Sequence, residues 1–446
     1  MMRKLIAAVF LLLLLAAVTI LFVSSTEKGL TILWQQASKL LPNEITIKTV
    51  EGRLVGPVII SGFNYQNETI KIAFDQARLS WEPSYLMSLT FQVDAAEIDN
   101  LKITQIGQKI DNDEPIFLPD EIKLPLKMVV EHFRVNQFEF RNLAGTEPIL
   151  LEHATLVGLF DDDQFLISEL NIEGPKLSVT GNLQTIPHSD YASQGKLDWN
   201  FTAKDLPAFN GITEYEGDLQ KLEIKQTVQP PYNMSASISA HNLFDAFGFS
   251  ANMDISQLNL ENIKKDLPQA TITGVVDIEG NLDSASIKAN LKSNQTDYGT
   301  LHAELNSSVS QKFIEINSFT LTAKEKPSQL LAQGKINLTD KDSIIDVTAN
   351  WKNLDWPLLE KPSLQSTEGK LNITGSLDQY NFIAMATLKI SDSLDADVSL
   401  TGIGDKHSVN ITQLDAKTLQ GTITGSSRIL TLNNSRQIGQ ASYILN

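Results

Sequence analysis

The sequence predicts an all-β fold: an elongated, curled sheet with a trough-like hydrophobic groove, preceded by a transmembrane helix and a short amphipathic helix. Three observations predict it. First, apolar residues recur at every second position in rows framed by glycine: Val50, Gly52, Leu54, Gly56, Val58, Ile60 and Gly62, then Gly274, Val276, Ile278, Gly280 and Leu282, then Gly369, Leu371, Ile373, Gly375 and Leu377. Successive side chains of an extended chain point to opposite faces, so each row lies on one face of a sheet, while Asp277, Glu279 and Asn281 or Lys370, Asn372 and Thr374 line the other. Second, this alternation persists almost without interruption from Glu44 onward. Third, Arg3 and Lys4 precede the nineteen residues Leu5 to Val23, of which only Thr19 is not strictly apolar.

Taken in chain order, residues 1–25 read as a signal anchor, with Leu5, Phe10, Leu15, Ile20 and Val23 as its membrane-facing residues. As a helix the run reaches about 28 Å, near the roughly 30 Å hydrocarbon core. It exceeds the usual h-region of about 7–15 residues, which favours an uncleaved anchor over a cleaved signal peptide. The basic residues ahead of it place the N-terminus in the cytoplasm and export the rest. Residues 26–43 follow helical spacing through Leu30, Leu33, Trp34, Ala37, Leu40 and Leu41, and Pro42 and Asn43 end the pattern. Their polar face lacks the Lys and Arg that a membrane-surface helix prefers.

Residues 44–446 read as the sheet domain. Its clearest further strands are Ile70-Ile72-Phe74, Phe138-Phe140, Leu170-Ile172, Ile287-Ala289-Leu291, Ile345-Val347-Ala349-Trp351 and Phe382-Ala384-Ala386-Leu388-Ile390. Residues 111–125 are acidic, carry three prolines and read as an extended, unpaired connection or inserted loop. A second short helix is expected over 258–267. The rows recur at unequal intervals, unlike a propeller or a leucine-rich array, so strands are added one after another by turns of varied length. About 400 residues at 10–12 per strand and ~4.8 Å between strands give a sheet on the order of 160 Å long. Glycine within an apolar row points either to a bend, bulge or close approach, or to room left for a bulky residue opposite.

Composition narrows the function. Thirty-six basic against 53 acidic side chains give a net charge of −17, with no basic cluster after the first residues, so nucleic acid is not an expected partner. The chain contains no cysteine, which excludes disulfides and thiolate metal sites. Phosphate-loop, dinucleotide and nucleophile-elbow patterns are missing. The six histidines are scattered, and Asp161-Asp162-Asp163 lacks the spacing of a calcium loop and reads as a solvated turn. No enzyme activity, catalytic residue, metal site or cofactor is expected.

With those residues set out, the sequence resembles the TamB family of the translocation and assembly module, within the wider AsmA-like, bridge-like lipid-transfer group. The resemblance runs through Gly29-Leu30, Leu41-Pro42, Val50-Glu51-Gly52-Arg53-Leu54-Val55-Gly56-Pro57, Ile60-Ser61-Gly62-Phe63-Asn64-Tyr65 and Leu79-Ser80-Trp81-Glu82-Pro83. It continues in Leu124-Pro125-Leu126 and, further on, in Trp351-Lys352-Asn353-Leu354-Asp355-Trp356-Pro357-Leu358. It implies an inner-membrane, single-pass protein of a Gram-negative bacterium with its bulk in the periplasm, passing phospholipid along an apolar groove toward the outer membrane. It also implies assistance to secretion and outer-membrane assembly with the barrel partner TamA. Family members are longer and close on a conserved C-terminal domain, so the resemblance covers an N-terminal portion, and contact with TamA is expected through a C-terminal region outside it.

The partners this reading calls for are therefore the inner membrane and phospholipid acyl chains. The expected groove lining is Val58, Ile60, Ile70, Ile72, Phe74, Val276, Ile278, Leu282, Ile287, Leu291, Ile345, Val347, Leu371, Ile373, Leu377, Phe382, Leu388 and Ile390. A competing expectation from a different class is a secreted parallel β-helix, either an adhesin or a polysaccharide-active protein.

Overall fold

The computed structural model describes residues 23–445 apart from 108–118, 144–147, 205, 265–266, 268, 296–298, 339–343, 357–363, 377, 392–393, 406–407, 419–420 and 431–439. The expected anchor residues Leu5, Phe10, Leu15 and Ile20 lie outside the described residues; Val23 is the first of them. No helix among the described residues is long and apolar enough to cross a membrane. The first element is the helix α1 (Glu27–Ala37), continued by a 3-10 turn, Ser38–Leu40. Thr26 caps it, its hydroxyl accepting from Gly29 N at 3.0 Å, as a short β-hydroxyl at the N-cap should. Of the expected apolar stripe only Leu30 is buried; Leu33 and Leu40 are exposed. A second helix forms over Leu260–Ile263 only, because the strand before it runs on to Asn259.

Apart from a 3-10 segment, Pro83–Ser88, the other described residues form strands, turns and their connections, and the chain divides into two units, 1–204 with 208–222, and 205–207 with 223–446. In the first, β1 (Ile45–Thr46), β2 (Thr49–Gly52), β3 (Val58–Gln66), β4 (Ile70–Glu82), β5 (Thr90–Gln105), β6 (Lys127–Arg141), β7 (Ile149–Phe160), β8 (Phe165–Glu173), β9 (Leu177–Thr185), β10 (Ser193–Phe201) and β11 (Phe209–Gly217) follow one another. From β3 to β11 each strand pairs with the next in sequence. All these pairs are antiparallel except β5–β6, which is parallel. The strand β12 (Lys221–Val228) spans the boundary between the units.

The second unit continues with β13 (Met234–His241), β14 (Gly248–Asn259), β15 (Ala270–Asn281), β16 (Ser284–Gln295), β17 (Gly299–Ser310), β18 (Phe313–Ala323), β19 (Gln329–Asn337) and β20 (Ile344–Trp356). It ends with β21 (Leu364–Ser376), β22 (Tyr380–Ser391), β23 (Leu394–Gly404), β24 (Ser408–Thr418), β25 (Gly421–Leu430) and β26 (Gln440–Leu445). Every described pairing here is antiparallel and between sequence neighbours. A parallel β-helix is therefore excluded, since it would need parallel ladders from coil to coil.

The row from Val50 to Gly62 is not one strand. It folds back on itself, pairing Val50 with Ile60 and Gly52 with Val58. Gly52 makes the reversal possible: its φ of +99° is open to glycine, and Pro57 offers a carbonyl but no donor. Parity survives the fold, so both halves present their apolar residues to the same side.

The end of the expected loop is tied down, not unpaired. Glu121 bridges His188, Ile122 N donates to Pro187 O at 2.8 Å, and Leu124 N donates to Asp162 Oδ1 at 2.8 Å. Residues 111–118 of that expected loop lie outside the described residues.

Candidate functional site: the apolar face

Directly opposed residues on neighbouring strands point to the same side, so a face can be read by following register from strand to strand. In the second unit one such line passes through Met253, Val276, Ala289, Leu305, Phe319, Ala332, Ala349, Leu371, Ala384, Leu400 and Leu414. All eleven are apolar and all eleven are half-buried. The line beside it takes Ala251, Ile278, Ile287, Ser307, Ile316, Gly334, Val347, Ile373, Phe382, Gly402 and Ile411. The opposite face carries Ser250, Glu279, Ser286, Ser308, Glu315, Lys335, Asp346, Thr374 and Asn381 in one line. The sheet is two-sided in chemistry from β14 to β21, and on β22 and β23 the polar side also takes the exposed Ile383, Met385 and Ile403.

The first unit repeats the arrangement. One line runs Ile60, Ala77, Ile98, Val135, Ala154, Ile172, Val179 and Trp199; the next runs Val58, Leu79, Ala96, Phe133, Leu156, Leu170, Gly181 and Leu197. Ile72 opposes Ile103 and Tyr65, and the rings of Phe63 and Phe74 stack at 4.6 Å. Few side chains in either unit are truly buried, Val93, Val130, Val135, Ile255 and Ile345 among them. The apolar face is thus lined with half-covered aliphatics, with no second layer of described residues packed on it.

Of the expected lining residues, Val58, Ile60, Val276, Ile278, Ile287, Leu291, Ile345, Val347, Leu371, Ile373, Phe382 and Leu388 stand in strands on this face, while Ile70, Ile72 and Phe74 lie at the other end of β4, with Ile72 and Phe74 opposite Tyr65 and Phe63, at positions of the other parity from Ala77 and Leu79. Leu282 does not. It sits in the hairpin turn between β15 and β16, 75% exposed, because Asn281 Oδ1 accepts from the amides of Asp283 and Ser284 at 2.9 Å and ends the strand there. Leu377 and the side chain of Ile390 lie outside what is described. Leu305, Phe319, Leu321, Leu330, Leu400 and Leu414 belong to the same face and were missed; the alternation Leu301-Ala303-Leu305 and Phe319-Leu321 was the available signal.

Four glycines of the sheet, Gly369 of the rows among them, have an aromatic neighbour, whereas Gly52, Gly62, Gly274 and Gly375 of the rows adopt a positive φ. Gly369 opposes Trp351, Gly402 opposes Phe382, Gly404 opposes Tyr380 and Gly195 opposes Tyr215. A Cβ on these glycines would meet the opposing ring at 2.2, 2.4, 2.3 and 2.6 Å respectively. At these four an aromatic side chain of one strand lies over the glycine of the next, the second of the two readings expected, while the positive φ and close backbone of Gly52, Gly274 and Gly375 fit the first.

Lys196 Nζ donates to Glu214 Oε1 at 2.9 Å, a hydrogen bond that raises the ammonium pKa. A depression of about 890 Å³ over β20 to β24 is lined by Lys352, Glu368, Lys370, Asp397, Asp415 and Lys417 alongside Trp351 and Gly369. A smaller one of about 420 Å³ holds Glu223, Ser239, Asn252, Asp277 and Lys288. Both are furnished mainly by the polar side, with mixed charge, and suit water better than acyl chains. Among the described residues no three His, Asp or Glu side chains come together to hold a metal ion.

A family model described as TamB, N-terminal domain, matches residues 14–116, 104–325 and 324–430. The chain belongs to the TamB family. The TamB match spans both units and both sets of apolar lines. Neither a curated protein nor a solved structure matches the chain.

Proposed function

We propose that this TamB-family chain carries phospholipid along its apolar face, with residues 5–23 holding it in the inner membrane and the sheet in the periplasm. The observation that carries the reading is the unbroken apolar line across each unit, on which every side chain but the buried Val135 is half-covered. Monomeric soluble proteins rarely expose apolar patches above a few hundred Å². Moving a two-chain lipid of roughly 30 methylenes through water costs up to about 25 kcal/mol at ~0.8 per methylene. A continuous aliphatic surface lowers that cost by replacing water along the path, and no covalent chemistry is needed. Purification of the full chain from membranes followed by lipid mass spectrometry tests it. Stoichiometric co-isolated phospholipid supports the proposal, and lipid-free protein of the same fold counts against it. Assistance to outer-membrane protein assembly with a TamA-type barrel is the second role; it draws on family membership, and the outer edge of β3 that could template a client strand is already occupied by β1 and β2.

A further inference from the structure

One rim of the first unit carries a cluster of exposed apolar side chains. The 3-10 segment Pro83–Ser88 joins β4 to β5 and holds up Tyr85, Leu86 and Met87, with Leu89 following. Met87 is 96% and Leu89 67% exposed, and Tyr85 and Leu86 are exposed as well. Leu89 has a φ of +55°, a left-handed conformation that is uncommon for a branched apolar residue and clusters at functional sites. Its amide donates to Leu86 O at 3.0 Å, closing the turn with these side chains outward.

Two hydrogen bonds tie this turn to the start of the described chain. Trp81, just ahead of it, donates from Nε1 to Leu54 O at 2.7 Å, and Leu54 is itself exposed. The next amide, Val55 N, donates to Ser24 O at 3.0 Å. Ser24 directly follows the apolar run Leu5–Val23. Charge along the rim is graded. Arg53 and Glu82 stand beside the apolar turn and Lys127 Nζ lies 3.8 Å from Asp161 Oδ2, whereas the turns further along, after β7, β9 and β11, carry the additional acidic residues Asp162, Asp163, Asp190 and Asp218.

We infer that the Tyr85–Leu89 turn, with Leu54 beside it, inserts into the interfacial layer of an anionic phospholipid bilayer. This rests on the reading that residues 5–23 anchor the chain in that bilayer. Exposed Leu and Met enter the acyl boundary, Tyr85 and Trp81 suit the headgroup level, and Arg53 meets the lipid phosphates. The acidic turns keep the remainder of the rim off the surface. The contact sets which end of the first apolar lines meets the membrane.

The chain has no cysteine, so Met87→Cys creates a single thiol at a position with no packing role. The full-length variant is labelled there with an environment-sensitive fluorophore and placed in phosphatidylethanolamine–phosphatidylglycerol vesicles containing spin-labelled lipid. Leu282→Cys, exposed and apolar in a turn of the second unit, serves as comparison. Several-fold stronger quenching at 87 than at 282 is expected. Equal quenching in protein that floats with the vesicles overturns the inference and leaves the anchor standing. Protein that does not float with vesicles overturns the anchor and the inference together.

Discussion

Trp351 and Gly369 oppose one another across β20 and β21, and the indole lies where a glycine Cβ would be, its Cζ2 2.2 Å from that position. The indole Nε1 donates to Ser366 Oγ at 2.9 Å, which fixes the ring over the glycine. Gly369→Val is expected to destabilise the second unit by about 1–3 kcal/mol, the usual cost of forcing extra volume into a packed contact. Denaturant unfolding measures it. Trp351→Ala in the same chain should recover part of the loss; strict additivity of the two changes would refute the pairing.

Ile373 opposes Val347 and Phe382 on the apolar face. Ile373→Asp, and likewise Ile278→Asp, places a carboxylate in the proposed lipid path and should cut lipid transfer between vesicles by roughly an order of magnitude or more, consistent with the several kcal/mol cost of an uncompensated charge in apolar surroundings. Ser237→Asp on the polar face is the control and should transfer at the parent rate. Unchanged transfer by folded Ile373→Asp would remove that position from the path.

Glu325 Oε2 accepts from Thr300 N at 2.7 Å, and this backbone hydrogen bond holds its carboxyl below the ordinary range. A depressed folded-state value means the contribution is present above the unfolded pKa and lost as pH falls through the folded one. Gly299, with φ +74°, leaves the space that the carboxylate fills. The protection of the Thr300 amide, the intrinsic exchange rate divided by the observed one at the same pH, should therefore be high at neutral pH and fall in acid, and Glu325→Gln should flatten that dependence.

Tyr191 is buried and donates from its hydroxyl to Pro119 O at 2.5 Å, holding the end of the 119–126 segment against the turn after β9. Tyr191→Phe keeps the ring and removes one hydrogen bond, so about 0.5–1.5 kcal/mol should be lost. Proteolysis near residue 119 should quicken while cleavage in the second unit stays unchanged.

The strands were legible because alternation is a local property: Val276-Ile278 and Leu371-Ile373 declare their face whatever lies next to them. Register was not legible, since it is decided by pairing between strands. The hairpin inside Val50–Gly62 escaped notice because a reversal that preserves parity leaves the alternation intact. Bulges hid other members of the face: on β18 the partners jump from Ile316 to Phe319, so period-two reading breaks where the sheet does not. The parallel pairing of β5 with β6 was equally silent, as neither strand's pattern records the direction of its neighbour. Leu282 misled because a leucine continuing the row outweighed the turn chemistry of Asn281, Asp283 and Ser284. Aromatic–glycine opposition needed both strands at once, and Tyr380 with Gly404 lies 24 positions apart.

The neighbour-to-neighbour pairing of β13 through β26 also has a consequence for how such a chain is assembled and how it changes length over evolution. Each strand closes only a short loop onto the one made just before it, so contact order stays low despite the size of the sheet, and strands can join in the order they leave the ribosome or the export channel. Two strands can likewise be gained or lost together without reversing the direction or face of any other. Removing Ser284–Ser310 would set β15 against β18 in the same antiparallel sense, with Val276 facing Phe319 instead of Ala289. Length is then a quantity that insertion and deletion can adjust in steps of one hairpin, about 10 Å at a time.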